Sequence, residues 1–288
     1  MVKIIFFYKM LLHFYSLCGI IERNSYKREY NMRLDAYLAN SGAISSRNKA
    51  QTLIEEGKVF VNGNKILKAS YQLPQGAKIE IKDGLKYVSR GGLKLEEALA
   101  KFNIDVRGLR CIDIGASTGG FTDCLIKSGA AEVYAIDSGH GQLSSELLNL
   151  GNVKSYEGFN ARNPTEENFG KFDLCVMDVS FISQSLLYEN VKSVLDDDGF
   201  YISLIKPQFE AGKEFIGKNG LVKDLNVHSS VIKKLSFKAA LCGLSMIKLC
   251  RSPIQGGDGN TEYLALFTHT ENNKNGRFPD TDGVVYGK

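Results

Sequence analysis

The segment Cys111-Ile112-Asp113-Ile114-Gly115-Ala116-Ser117-Thr118-Gly119-Gly120-Phe121 constrains this chain more than any other. A short apolar run ends in a carboxylate and a glycine-rich turn, and a helical pattern follows. Further on, Val133-Tyr134-Ala135-Ile136-Asp137 repeats the form, an apolar strand closed by an acid. In a parallel α/β sheet, the turns at the carboxyl ends of adjacent strands open into the ligand crevice. Glycines let backbone approach a ligand closely, and a carboxylate ending the second strand can hold both hydroxyls of a ribose. The loop departs from Gly-x-Gly-x-x-Gly and lacks the Gly-Lys-Ser/Thr ending of a triphosphate cradle. A carboxylate just before it would repel a pyrophosphate and suits a cation. S-adenosylmethionine, with its sulfonium and ammonium, fits that description. A turn shaped by geometry alone is the plainer alternative, and the paired carboxylates Asp113 and Asp137 weigh against it.

The chain has 288 residues, enough for one large domain and one small one. A hydrophobic content of 43% with 24% charged residues describes an ordinary globular protein. The six cysteines show no Cys-x-x-Cys spacing and mostly sit in apolar runs. Reduced, buried thiols in a cytoplasmic protein are expected, and zinc is not. The net charge of +4 hides an asymmetry, since residues 33–94 hold eleven Lys or Arg against five Asp or Glu. A basic module attached to an α/β domain suggests a polyanionic partner, although a solvated charged surface reads the same way. The first 31 residues are apolar but broken by Lys3, Lys9 and His13, with no small-residue cleavage site. They fail the tests for a targeting peptide. Met32 opens what reads as a domain start, so residues 1–31 are expected to be an upstream extension, with a weak anchor as the alternative.

From Met32 the pattern is regular. Leu34, Tyr37 and Leu38 predict a short helix; Ser45 or Ser46 can cap a second through Ala50, Leu53 and Ile54 to Gly57. Val59 to Ile66 reads as a hairpin turning at Asn62-Gly63, and Ile79-Glu80-Ile81 as another strand. Residues 83–93 read as a linker, followed by a helix with Leu95, Ala98, Leu99 and Phe102 on one face. Strands are then expected at 110–114, 132–136, 153–156, 172–177, 200–205, 246–250 and 263–267, alternating with helices, which implies a doubly wound sheet. The tail at 269–288 is polar and is expected to be loosely ordered.

Four polar residues stand where such a sheet points into its crevice. Asp178 ends one strand, Lys206 ends the next, Lys94 opens the helix entering the domain, and Glu262 begins the last strand. If that strand runs antiparallel to its neighbour, all four lie at one edge. A ribose hydroxyl is a poor nucleophile, so an enzyme must orient it and take its proton; a lysine can do so when its surroundings lower its pKa. Lys206 is the candidate base or orienter, with Asp178 positioning the lysine and the hydroxyl and Lys94 and Glu262 completing the network.

Residues 32–82, two small helices and a hairpin carrying Arg47, Lys49 and Lys58, resemble the S4 RNA-binding module. Lys-Asp-Lys-Glu resembles the tetrad of ribose 2′-O-methyltransferases with the FtsJ-like fold. From Met32 to about Phe267 the chain is similar to the TlyA (hemolysin A) family, which joins the two. The matching stretches are Val88-Ser89-Arg90-Gly91 with Lys94, Gly115 to Thr122, Asp137 with Gly141-Gln142-Leu143, Asp178 to Ser183, Lys206 to Glu210, and Gly259 to Tyr263. The resemblance implies a Rossmann-like methyltransferase sheet at 94–268 behind a small α+β S4 domain. It implies S-adenosylmethionine as cofactor, held by Asp113, Gly115, Ala116, Ser117, Thr118, Gly119, Gly120, Phe121, Asp137 and Asp178. It further implies ribosomal RNA as partner, met by Arg33, Arg47, Lys49, Lys58 and Arg90, and methylation of a cytidine ribose. Asn160 and Arg162 are open as cofactor, substrate or loop-surface residues. A pore-forming cytolysin and an S4-type RNA binder without catalysis are the rival readings.

Overall fold

The computed structural model describes residues 32–44, 46–82, 86–160, 162, 169–274, 276 and 278–287. The expectation for residues 1–31 lies outside the described residues. The chain divides into two compact units, one up to Ser89 and one from Arg90 onward.

The first unit holds helices α1 (Leu34–Asn40) and α2 (Arg47–Glu55) and strands β1 (Val59–Val61), β2 (Asn64–Ile66) and β3 (Ile79–Ile81). Ser46 supplies the cap of α2, its hydroxyl accepting from the Lys49 amide at 3.2 Å. Strands β1 and β2 pair antiparallel around Asn62-Gly63, with β3 on the other side of β1. Asn62 and Gly63 both have positive φ (50° and 79°), the geometry of a tight two-residue hairpin turn. Leu34, Leu38, Ala50, Leu53, Ile54, Val59 and Val61 form the small core.

The second unit opens with α3 (Gly91–Phe102) and continues with β4 (Arg110–Ile114), α4 (Gly120–Lys127), β5 (Glu132–Ile136), α5 (Ser145–Leu148), β6 (Val153–Tyr156) and β7 (Phe172–Met177). Then come α6 (Tyr188–Val194), β8 (Leu195–Ile205), α7 (Pro207–Glu210), α8 (Leu225–Leu241), β9 (Leu244–Arg251), β10 (Tyr263–His269) and α9 (Thr281–Tyr286). Seven strands form one sheet in the order β6-β5-β4-β7-β8-β10-β9. The first five are parallel and β10 runs antiparallel between β8 and β9. The chain steps outward from β4 to β6, then returns to the other side of β4 with β7. That reversal is the switch point where an open α/β sheet forms its crevice. The central strands carry continuous apolar runs because both faces are covered; Ile112, Ile114, Ile136, Cys175 and Met177 have no exposed surface.

The tail departs from expectation. Helix α9 folds back onto the domain, and Val285 is fully buried in the main core. Asp280 caps it by accepting from the Gly283 amide at 2.9 Å, and Arg251 donates to the Val285 carbonyl at 2.9 Å. A six-residue helix with one buried anchor leaves little trace in composition.

Candidate active site

Register alone brings three of the four polar residues, Asp178, Lys206 and Glu262, to one edge. Tyr263 pairs with Ile205 across β10 and β8, so Glu262 and Lys206, one step beyond, come out side by side. Met177 pairs with Ser203 across β7 and β8, which sets Asp178 beside the end of β8. The antiparallel strand does what the sequence required of it.

The four form two ion pairs. Lys206 Nζ lies 2.6 Å from the Asp178 carboxylate and donates to Ser180 Oγ at 2.8 Å. Lys94 Nζ meets Glu262 at 2.5 Å, and here both partners are buried. Glu262 lies against Gly256, where a Cβ would fall 2.5 Å from its Oε1. Burial of a charged pair is favourable only with close geometry, and breaking one partner leaves a costly isolated charge. Beside Lys206 an aromatic pair faces out: Phe181 and Phe209 have ring centroids 4.9 Å apart, and Lys206 Nζ lies 5.9 Å from the Phe209 ring. Phe181 is 90% exposed and has a φ of 63°, unusual for an aromatic residue.

The glycine-rich loop is fixed from two sides. Gly115, with φ 85°, runs against the end of β7, where a Cβ would sit 2.7 Å from the Asp178 carbonyl oxygen. Asp137 accepts from the Ser117 amide at 2.8 Å and from the Gly139 amide at 2.7 Å, tying this loop to the one after β5. Glu157, which the sequence reading passed over, holds that second loop: its carboxylate accepts from the amides of Gly141, Gln142 and Leu143 at 2.6, 2.8 and 3.0 Å. These bonds hold the Glu157 carboxyl below its ordinary range. Its only sequence signal is its place just after β6. His140, without a role in the sequence, packs over Gly158.

Some expected contacts are placed differently. Asp113 has no exposed surface, and its Oδ2 accepts from the Thr122 hydroxyl at 2.6 Å. Burial, reinforced by Asp178 and Asp137, pushes its pKa up to about 7. Gly120 and Phe121 are likewise buried beneath the loop, whereas Ser117 and Thr118 are exposed on it. Asn160 and Arg162 are exposed, the Asn160 side chain accepting from the Arg162 amide at 3.0 Å. Arg90 stands at the N-terminus of α3. In the first unit, Arg33 and Arg47 are half-exposed and both reach the buried Asp35, at 2.9 and 3.0 Å. Gln51 adds a hydrogen bond at 2.8 Å, and together these hold the Asp35 carboxyl well below its usual range despite burial. Part of each guanidinium is therefore committed inside the fold. Lys58 pairs with Glu56 at 3.0 Å.

Comparison with known proteins agrees with this geometry. Residues 87–268 match the FtsJ-like methyltransferase family. The chain belongs to that family. Residues 32–79 match the S4 domain. Hemolysin A of Brachyspira hyodysenteriae is 43% identical, over 82% of this chain and 99% of its own length. The 16S/23S rRNA (cytidine-2′-O)-methyltransferase TlyA of Mycobacterium tuberculosis is 38% identical, over 83% of this chain and 91% of its own. Among solved structures, a putative hemolysin from Streptococcus thermophilus superposes with a TM-score of 0.70 at 38% identity, over 89% of this chain and 94% of that one.

The site of this FtsJ-like enzyme fits a cationic methyl donor. Asp113 Oδ1 is buried without a hydrogen-bond partner, and Asp178 and Asp137 lie close enough to raise its proton affinity. Three carboxylates around one crevice are relieved by a positive ligand. Asp137 retains lone pairs beyond the two it gives to amides, enough for a pair of ribose hydroxyls. Among the described cysteines, Cys111 and Cys175 are unsuited to a covalent role: burial pushes Cys111 up to about 12 and Cys175 well above the ordinary thiol value. Among the described residues no cluster has the makings of a metal site, and no helix is long and apolar enough to cross a membrane.

Proposed function

We propose that this chain transfers a methyl group from S-adenosylmethionine to the 2′-hydroxyl of a cytidine ribose in ribosomal RNA, acting in the cytoplasm. The observation that carries the reading is the pairing of Lys206 with Asp178 and of Lys94 with Glu262 at the sheet edge that also holds the cofactor loop. The M. tuberculosis relative, named for this reaction, supports the choice of ribose and base. The same reading gives an extension at 1–31, an S4 domain at 32–82, a linker at 83–93 whose last three residues form the start of α3, a methyltransferase domain at 94–268, and a tail at 269–288 whose Val285 packs into that domain's core.

When bound, the donor supplies an electrophilic methyl on a sulfonium. Ser117 and Thr118 meet its methionyl carboxylate, Asp137 its ribose, and Asp113 and Asp178 favour its positive charge. Lys206 Nζ orients the acceptor hydroxyl, held in place by Asp178 and Ser180. As the oxygen bonds to the methyl carbon the carbon–sulfur bond breaks and the sulfur leaves as a neutral thioether; the hydroxyl proton, now strongly acidic, passes into the Lys206–Asp178 pair, whose basic site is the Asp178 carboxylate. Lys94 and Glu262 fix the far side of the hydroxyl. Positioning of this kind is the larger part of catalysis for an in-line transfer. The exposed Phe181 ring offers a face on which an unstacked base can rest, the usual means of reading RNA outside a helix. Lys49, Lys58, Arg90 and the outer nitrogens of Arg33 and Arg47 meet phosphates.

The test is transfer of labelled methyl into ribosomal subunits lacking the modification, with wild type and Lys206→Ala. Wild type should give alkali-resistant label on ribose. Lys206→Ala should lose ~10²–10⁴-fold in kcat, the range of a positioned acid–base group, while binding S-adenosylmethionine as before. A passive RNA binder would show no transfer and would tolerate the substitution.

A further inference from the structure

Glu210 is a carboxylate with 9% of its surface exposed, and the chemistry above leaves it unused. It ends α7, four residues after Lys206 on the same short turn. Its Oε2 accepts from the Ser183 hydroxyl at 2.7 Å and its Oε1 from the Gln184 amide at 2.8 Å. Ser183 and Gln184 close a different loop, the one that begins at Asp178. Ser183 Oγ also lies 2.8 Å from Ser185 Oγ, to which Lys238 of α8 donates at 3.1 Å. The Gln184 side chain accepts from Ser203 on β8 and from the Tyr201 hydroxyl.

The loop after β7 and the turn after β8 are thus joined at two levels. At the mouth Lys206 holds Asp178 and Ser180; at the base Glu210 holds Ser183 and Gln184. Burying a carboxylate is unfavourable, and desolvation raises its proton affinity against the opposing pull of Ser183, Gln184, Lys234 and Lys238. An apolar side chain of similar size would serve packing as well or better. What it could not do is fix the register of one loop against the other.

We propose that Glu210 is a positioning residue, holding the loop that carries Asp178 in line with Lys206 so that the ion pair meets the acceptor hydroxyl in one geometry. The proposal rests on the 2′-O-methyltransferase reading. Glu210 acts wholly through its neighbours, and a displacement of about 1 Å at reacting groups can cost on the order of 10²-fold in rate.

Full-length wild type, Glu210→Ala and Glu210→Gln are compared for kcat and KM on ribosomes lacking the modification. The same samples give S-adenosylmethionine affinity by calorimetry, melting temperature, and amide exchange over residues 179–184. Glu210→Ala should lower kcat by roughly 10–100-fold, leave KM and cofactor affinity within about twofold, and speed exchange at the Gln184 amide. Glu210→Gln keeps an acceptor of the same shape and should recover most of the rate. Unchanged kcat and exchange in Glu210→Ala would overturn the proposal, as would a parallel loss of cofactor affinity or an equal loss in Glu210→Gln. Should Glu210→Ala fail to fold, Ser183→Ala removes the hydroxyl that bonds Glu210 and Ser185 and leaves the Gln184 amide bond to Glu210 in place, and its kcat should fall by about threefold; no change would count against the role. If wild type places no label on ribose, the 2′-O reading fails on its own, and exchange over 179–184 still decides whether Glu210 orders the loop.

Discussion

Asp113 and Gly115 show how much one position near the crevice can carry. Unfolded, Asp113 would titrate near the ordinary carboxyl value of about 4; folded, it titrates near 7. Between those values the folded protein keeps a proton that the unfolded chain has shed. Stability contributed by this group is therefore full below the lower value and is lost as pH rises through the upper one. Asp113→Asn has no such titration, so the urea midpoint of wild type should fall relative to the variant as pH rises from 5 to 8. Equal slopes for the two proteins would refute the assignment. Gly115 answers to geometry instead. Its φ is positive, and a Cβ there would fall 2.7 Å from the Asp178 carbonyl oxygen, which leaves no room for a methyl group. Gly115→Ala should cost about 1–3 kcal/mol in stability, read from denaturant midpoints, and weaken cofactor binding.

At the scale of elements, helix α9 and the loop after β5 are held by contacts far away in the chain. Val285 enters the main core, while Asp282 ties the same helix to Lys233 and Ser229 on α8 at 2.8 and 2.7 Å. Val285→Ala removes two methyl groups from a fully buried site. The expected loss is about 1.5 kcal/mol or somewhat more, from ~0.8 kcal/mol per buried carbon. A loosely attached tail would show no change in the melting midpoint. Glu157 and Asp137 act in the same way on loops, each carboxylate gathering backbone amides at the ends of the strands.

The whole molecule joins a basic unit to a methyltransferase unit, and its partner is expected to be a polyanion. Binding of ribosomal RNA should then weaken steeply with salt, each phosphate contact adding about 0.7–0.9 to the slope of log affinity against log salt. Replacing Lys49 and Lys58 together by alanine should lower that slope by about 1–2 and raise KM for RNA while kcat stays near wild type. Titrations at several salt concentrations would reveal it, and an unchanged slope would remove these lysines from the interface. Arg47 is a poorer probe, because it also neutralises the buried Asp35.

The sequence by itself determined the elements and the ends of strands where chemistry would sit. Apolar runs closed by Asp113, Asp137, Asp178 and Lys206 were legible because strand pattern and turn residues are local signals, set within a few residues. The hairpin at Asn62-Gly63 and the cap at Ser46 were legible for the same reason. Tertiary structure alone decided who pairs with whom. Lys94 and Glu262 lie 168 residues apart, and only the order of strands in the sheet brings them together while giving Lys206 to Asp178. It also turned Asp113 inward, committed Arg33 and Arg47 to Asp35, and set Glu157 and Glu210 beneath their loops. A carboxylate's partner depends on burial and on neighbours contributed by other elements, and neither is encoded in the residues beside it.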